Sequence, residues 1–297
     1  MKRYTDGQTV NTAGHNVNVE PWPAPMLIDA HTHLYDCFDY INYFDSTLAN
    51  ISRAKDQLAL SHQIDTTAHT PACLLLAEPE NHYAFKSVLE LKELDSGRWK
   101  FIPCDDGLSL IAQLDGRDEL ILIEGRQIKT SENLEVLSLC SDKEIPDGHP
   151  TAWTLEKAIE LGGLPVLPLG VGKWLGSRGR VIDDILRSPL ADQLCLGDNA
   201  GRLAMGLTPR HFNDAQQRDI WILPGSGALP FKSQATRVGR YGLVLQGAVD
   251  RRSPAASIKH LIQAGGKQPV TFGRPDGPIN FLKLQTAMQI RNRLCKS

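Results

Sequence analysis

The sequence contains no apolar run long enough to span a bilayer, and its opening stretch "MKRYTDGQTVNTAGHNVNVE" lacks the apolar core of a signal peptide. Both absences lead to the expectation of a cytoplasmic protein with no membrane partner. An excess of one charge is lacking too: 32 Lys and Arg stand against 34 Asp and Glu, a formal net charge of -2. No global field would recruit nucleic acid, so any affinity for an anion has to be local. The six cysteines include no C-x-x-C pair, and Cys73, Cys104 and Cys195 lie inside or at the ends of apolar runs. They read as buried reduced thiols, not as disulfides or thiolate zinc ligands. There is no repeat of fixed period, and no Pro, Gly or Ser-rich linker divides the 297 residues. A single domain follows, with an N-terminal extension over 1–24, the main domain over 25–266 and a C-terminal tail over 267–297.

What is present is a series of short runs rich in Leu, Ile and Val: "MLID", "ACLLLAE", "KFIPC", "LILIEG", "LPVLPLG", "LCLGD", "IWILPG" and "YGLVLQG". Most are continuous, which suits strands buried on both faces. Between them lie helix-like segments. "NHYAFKSVLELKELDSG" spaces Phe85, Val88, Leu89 and Leu94, "TLEKAIELGG" spaces Leu155 and Ile159, and "SRGRVIDDILRS" spaces Val181, Ile182 and Ile185. "SPAASIKHLIQAGG" adds Ser253 as N-cap, Pro254 in the first turn and Gly265 at its end. After "LILIEG", the polar turn Ser131, Glu132 and Asn133 separates two extended runs, which reads as a hairpin. The expectation is an α/β fold: a TIM-like (β/α) barrel of seven or eight mostly parallel strands, with a hairpin insertion after the fourth. A doubly wound open sheet is the main alternative.

Residues 26–36, "MLIDAHTHLYD", place His31 and His33 at positions i and i+2 of a strand end. Side chains at that spacing share a face, and two converging neutral imidazoles suit a first-row divalent ion such as zinc, manganese or iron. For an isolated H-x-H the bland reading is one packed and one solvated histidine. Asp29 ahead of the pair and the apolar strand leading into it tip the balance toward ligands.

The D-x-H-x-H of Asp29, His31 and His33 resembles the first-strand motif of the metal-dependent hydrolases of the amidohydrolase and PHP (polymerase and histidinol phosphatase) superfamilies. Further features are similar to PHP proteins: Asp39 six residues beyond His33, Glu124 ending "LILIEG" before a hairpin, and "TLEKAIELGGLPVLPLG" leading toward a fifth strand end. The resemblance spans roughly residues 26–245 and implies a PHP-like fold, one or two divalent ions, and hydrolysis of a phosphoester or an amide. There are departures. "LLLAEPENHY" lacks a T-D-H, though Glu78 and His82 lie nearby; "PLGVGKW" lacks a histidine-proline; "PGSGALPF" places Gly227 and Leu229 where two ligands would stand. A trinuclear site is therefore not expected.

Four residues remain as metal ligands: His31, His33, Glu124 and Asp198, the two acids doubling as catalytic groups. Each closes an expected strand. The alternative for Asp198 in "LGDNAGR" is a turn-stabilising role, and for Glu124 a pairing with Arg126. Arg126, Lys173, Arg178 and Arg202 stand in loops beside glycines and match an anionic substrate, with Trp174 as a stacking face or as rim packing. "GVGKWLG" has no Walker spacing, and Ser226 in "GSG" has no G-x-S-x-G context. His82, His149 and His211, in polar contexts, are candidate general acids. The functional expectation is a metal-dependent hydrolase of a small anionic molecule. The other class considered is a metal-free, inactive barrel acting as an anion-binding or regulatory module.

Overall fold

A computed structural model describes residues 20–61, 64–65, 69–170, 174–199 and 209–275 of the chain. Strand β1 (Met26–Thr32) leads into helix α1 (Tyr40–Leu60), then β2 (Ala72–Leu76) and α2 (Ala84–Leu91). Strands β3 (Glu93–Leu94), β4 (Trp99–Pro103), β5 (Ser109–Leu114) and β6 (Arg117–Ile123) follow in succession, and after them β7 (Gly125–Lys129) and β8 (Glu135–Leu139). Helices and strands then alternate through α3 (Thr151–Glu160), β9 (Leu164–Pro168), α4 (Ser177–Arg187), β10 (Cys195–Asp198), α5 (Arg210–Gln217) and β11 (Ile222–Pro224). Strand β12 (Tyr241–Leu245), α6 (Pro254–Gln263) and β13 (Val270–Gly273) complete the described elements.

The expected TIM-like barrel is not formed. The strands make two open sheets, one of eight in the order β13-β12-β1-β2-β6-β5-β4-β3 and one of five in the order β11-β10-β9-β8-β7. Both are mixed. β1 runs parallel to β2 but antiparallel to β12, β4 to β6 form an antiparallel meander, and β7, β8 and β9 are antiparallel while β9, β10 and β11 are parallel. The architecture is an open α/β sandwich. Continuous apolar runs report burial of both faces and carry no information on strand direction. "YGLVL" and "KFIP" are as apolar as a parallel strand, yet each lies against antiparallel neighbours.

Residue alternation along the strands builds the layers. Leu27, Leu74, Leu76, Leu122 and Val244 face α1 and α2, where they meet Tyr43, Phe44, Ile51, Phe85 and Val88. Their neighbours Ile28, Ala30, Cys73, Leu75, Ile121 and Leu243 face the smaller sheet through Leu137, Leu139, Leu164, Val166 and Leu223. The outer side of that sheet, with Val136, Leu167 and Leu196, is covered by Leu155 of α3, Ile182 and Ile185 of α4 and Phe212 of α5. Buried cysteines Cys73, Cys140 and Cys195 are free thiols, pushed up in pKa by burial.

Helix α1 went unread in the sequence because Asn, Ser and Asp interrupt its apolar stripe. Its buried face nonetheless repeats at helical spacing through Tyr43, Phe44, Thr47, Ile51, Ala54 and Leu58, and Asp39 caps it by accepting the Asn42 N–H at 2.8 Å. Two backbone seams join the sheets where the candidate site lies. Glu78 N–H donates to Gly125 at 2.9 Å and Gln127 N–H to Glu78 at 2.8 Å, while Gly227 N–H donates to the His31 carbonyl at 2.8 Å. The carboxyl ends of β1, β2 and β11 are thereby brought together. No helix among the described residues is long and apolar enough to cross a membrane.

Candidate functional site

At the end of β1 the His31 and His33 Nε2 atoms stand 3.0 Å apart, with ring centroids at 4.9 Å and planes at 64°. The two residues are only 4 % and 6 % exposed. Burial pulls both imidazoles below their ordinary pKa, and for His33 the neighbouring His31 pulls further, so both are neutral near pH 7. Among the described residues their buried Nδ1 atoms have no hydrogen bond of good geometry, though Gln127 lies close enough to His31, and the Ala77 backbone to His33, to offset part of the burial effect.

The backbone around the pair is tightly fitted. Gly225 follows β11 and lies against His31; a Cβ there would fall 2.3 Å from the His31 nitrogen and 2.6 Å from its Cβ. Asp29, fully buried, is occupied with backbone: Oδ1 accepts Ser226 N–H at 2.8 Å and Oδ2 accepts Gly239 N–H at 2.9 Å. Burial pushes the Asp29 carboxyl up to about 6 against the pull of these N–H groups. On the open side, Tyr35 stacks on His33 at 5.1 Å, and the ring of His82 meets Tyr35 edge-on at 5.5 Å, with its Nε2 4.0 Å from Asp36.

The carboxylates lie just beyond. Arg126 Nη1 donates to Glu78 Oε2 at 3.0 Å and to the His82 carbonyl at 3.0 Å, and Arg126 Nη2 donates to Glu124 Oε1 at 2.8 Å. Glu78 Oε1 also accepts the Phe85 N–H at 2.6 Å. Burial raises both carboxyls above their ordinary range, Glu78 to about 7. Tyr83 covers the guanidinium at 5.0 Å and hydrogen-bonds Glu144 at 2.7 Å. A cavity of about 200 Å³ lined by Glu78, Tyr83, Arg126, Gln127 and Glu144 opens beside this group. Asp198, at the end of β10, accepts the Tyr241 hydroxyl at 2.7 Å, and its carbonyl accepts the Gly225 N–H at 2.9 Å.

The structure therefore brings His31, His33, Glu124, Arg126 and Asp198 to neighbouring strand ends, but gives the last three polar partners of their own. Among the described residues no group of three His, Cys, Asp or Glu side chains is arranged to hold an ion. Two imidazole nitrogens 3.0 Å apart do fit as adjacent ligands of one ion, since metal–nitrogen bonds of about 2.0–2.1 Å put such neighbours roughly 3 Å apart. The donor set suits an ion whose remaining positions are open to water or substrate, not a closed structural site.

Other sequence candidates fall elsewhere. Trp174, 6 % exposed, packs edge-on against His211 and Phe212 in the outer core. His211 Nε2 lies 2.9 Å from Asp183, tying α5 to α4. His149 stacks on Trp153 at 4.1 Å, and Asp39 is the α1 cap. Arg178 lies in the first turn of α4 and Arg237 donates to the Ser226 carbonyl at 2.8 Å. Lys173 and Arg202 lie outside the described residues. Sequence reasoning missed Tyr35, which only the stack on His33 reveals, and Tyr241, which opens a strand instead of closing one. It noted Glu78 without a role; its place after the apolar run "ACLLLA" was the signal.

No protein-family model matches the chain, and no curated protein does. Among solved structures, the fold is similar to PsfC from Pseudomonas syringae PB-5123, at a TM-score of 0.50 and 12 % identity over 90 % of this chain and 98 % of that one. It also matches the lesion-specific endonuclease PfuEndoQ from Pyrococcus furiosus, at a TM-score of 0.48 and 14 % identity over 83 % of this chain and 58 % of that one.

Proposed function

We propose that the chain is a metal-dependent hydrolase of a small anionic substrate, most simply a phosphoester, with His31 and His33 as its cation site. The single observation behind this reading is the pair of buried, neutral imidazoles whose Nε2 atoms converge to 3.0 Å at a strand end. The resemblance of their motif to the PHP and amidohydrolase families supports it. One divalent ion, zinc, manganese or iron, would lower the pKa of a bound water and polarise the scissile group.

The chain's own residues divide the remaining work. Tyr35 holds the His33 ring in place by stacking, and the Gly225 contact fixes the His31 backbone. His82, part exposed on the open side of Tyr35, would give or take a proton at a substrate oxygen. Arg126 is engaged by two carboxylates; Lys173, Arg178 and Arg202 are the candidates for the substrate anion on sequence grounds alone. Glu124 and Asp198 would join the coordination only by leaving Arg126 and Tyr241.

Metal analysis of protein purified without chelator, beside a His31→Ala/His33→Ala variant, tests the reading. About one ion per wild-type chain, lost in the variant, is expected, together with chelator-sensitive hydrolysis of p-nitrophenyl phosphate. Equal and negligible metal in both would overturn it. A second reading, a metal-free anion-binding module, is favoured by the engagement of both Glu78 and Glu124 by Arg126. It predicts phosphate binding that survives chelation and no turnover.

A further inference from the structure

Arg126 is the most enclosed cation described at the site. Its side chain is 6 % exposed, and those of Glu78 and Glu124 are each 3 % exposed. Two carboxylates withdrawn from water at one point need a positive charge between them. At the rim of a hydrolase that charge is commonly a divalent ion. Here the chain supplies it covalently, as a guanidinium bonded to one oxygen of each acid at 3.0 and 2.8 Å. A guanidinium cannot be deprotonated in a protein, and a chelator cannot remove it.

The surroundings hold the cation in place. Phe85 N–H fixes the second oxygen of Glu78, the His82 carbonyl takes another guanidinium hydrogen, and Tyr83 lies over the plane. The Nε of Arg126 is buried without a hydrogen-bond partner among the described residues, so the fork is set by its two acids and the carbonyl alone. The adjoining cavity of about 200 Å³ gives an ion a route to the acids if the side chain is removed.

We infer that Arg126 is a resident cation standing in for a second metal between Glu78 and Glu124, and that truncating it converts this carboxylate pair into a divalent-cation site. The inference rests on the proposed reading for its second consequence, that the ion at His31 and His33 is the chain's single one. An ion replacing the guanidinium would draw in the carboxylate oxygens that Arg126 now engages to metal–oxygen distances of about 2.1 Å, while Phe85 N–H keeps the other oxygen of Glu78.

The test is Mn(II) stoichiometry by equilibrium dialysis at pH 8 for five chains: wild type, Glu124→Gln, Arg126→Ala, Arg126→Ala/Glu78→Gln/Glu124→Gln, and Arg126→Ala in the His31→Ala/His33→Ala background. Arg126→Ala should bind one more Mn(II) than wild type, and the triple variant should lose that gain. The gain should persist without the histidines. Failure of the histidine reading leaves the count unchanged by His31→Ala/His33→Ala, whereas failure of this inference appears as no gain on removing Arg126. Two ions on the wild-type chain, one of them lost in Glu124→Gln, would overturn it whether or not the other variants fold. So would an Arg126→Ala chain that stays unfolded with millimolar Mn(II), since the ion should then replace the missing charge.

Discussion

Asp29 accepts the backbone N–H of Ser226 at 2.8 Å across 197 positions of sequence, and together with the Gly227 N–H bond to the His31 carbonyl this contact fastens the end of β11 to the strand that leads into both histidines. The aspartate of D-x-H-x-H is thus a clamp on backbone in this chain. Removing its carboxylate leaves the N–H groups of Ser226 and Gly239 unpaired in a dry interior. Asp29→Ala should cost about 2–6 kcal/mol of unfolding free energy, taking roughly 1–3 for each of the two orphaned groups. Urea denaturation checks this; a cost below about 1 kcal/mol would mean that the segment is held by other contacts.

The same residue gives stability a pH signature. Burial pushes the Asp29 carboxyl up to about 6 from an ordinary value of 3.8. The folded state therefore binds more protons than the unfolded state between those values. Its stabilising contribution is complete below about pH 4 and is lost as pH rises through 6. Asp29→Asn, which does not titrate, should cost more at pH 4.5 than at pH 7.5, the difference being on the order of 2–3 kcal/mol. A cost that grows with pH would reverse the sign and refute the burial argument.

Gly225 offers a way to disturb the histidines without touching them. A methyl group at this position would overlap the His31 backbone at 2.3 Å and has no flexible neighbour to displace. Gly225→Ala should destabilise by about 1–3 kcal/mol, as overpacking does, and should weaken cation binding at least tenfold. Retained stability with unchanged metal affinity would show that β11 can move away from β1 at little cost.

Trp174→Ala separates packing from recognition. The ring is buried against His211 and Phe212, and a buried aromatic truncated to alanine usually costs about 3–5 kcal/mol. Thermal melting should register that loss while phosphate affinity stays within twofold. The opposite pattern would restore Trp174 to the ligand site.

Much of the layer structure was legible because burial writes itself into apolar runs: β1, β2, β6, β9, β10 and β12 all fall on stretches marked by composition alone. Strand direction was not, because it depends on which neighbour a strand finds. β5 escaped notice since Ser109 and Gln113 break its apolar run. At the site, the i, i+2 spacing foretold the convergence of His31 and His33, a local property of one strand. The pairings Glu78 with Arg126 and Asp198 with Tyr241 span 48 and 43 positions, and no local pattern announces contacts that tertiary assembly creates.

The buried Nδ1 atoms of His31 and His33, which lack a well-formed hydrogen bond among the described residues, set a last expectation. A buried donor or acceptor without a partner costs about 1–3 kcal/mol, whereas apolar groups of similar shape in its place can be neutral or stabilising. In metal-free protein, His31→Leu/His33→Leu should therefore melt at or above the wild-type temperature, a sign that the imidazoles are kept for chemistry and not for the fold. Added zinc should reverse the order. At 100 times its dissociation constant an ion bound only to the native state stabilises by about 2.7 kcal/mol, which wild type should gain and the double leucine variant should not. If the variant instead loses several kcal/mol without metal, and zinc shifts neither melting curve, the contact between Nε2 atoms is an ordinary hydrogen bond of the core and the cation reading fails with it.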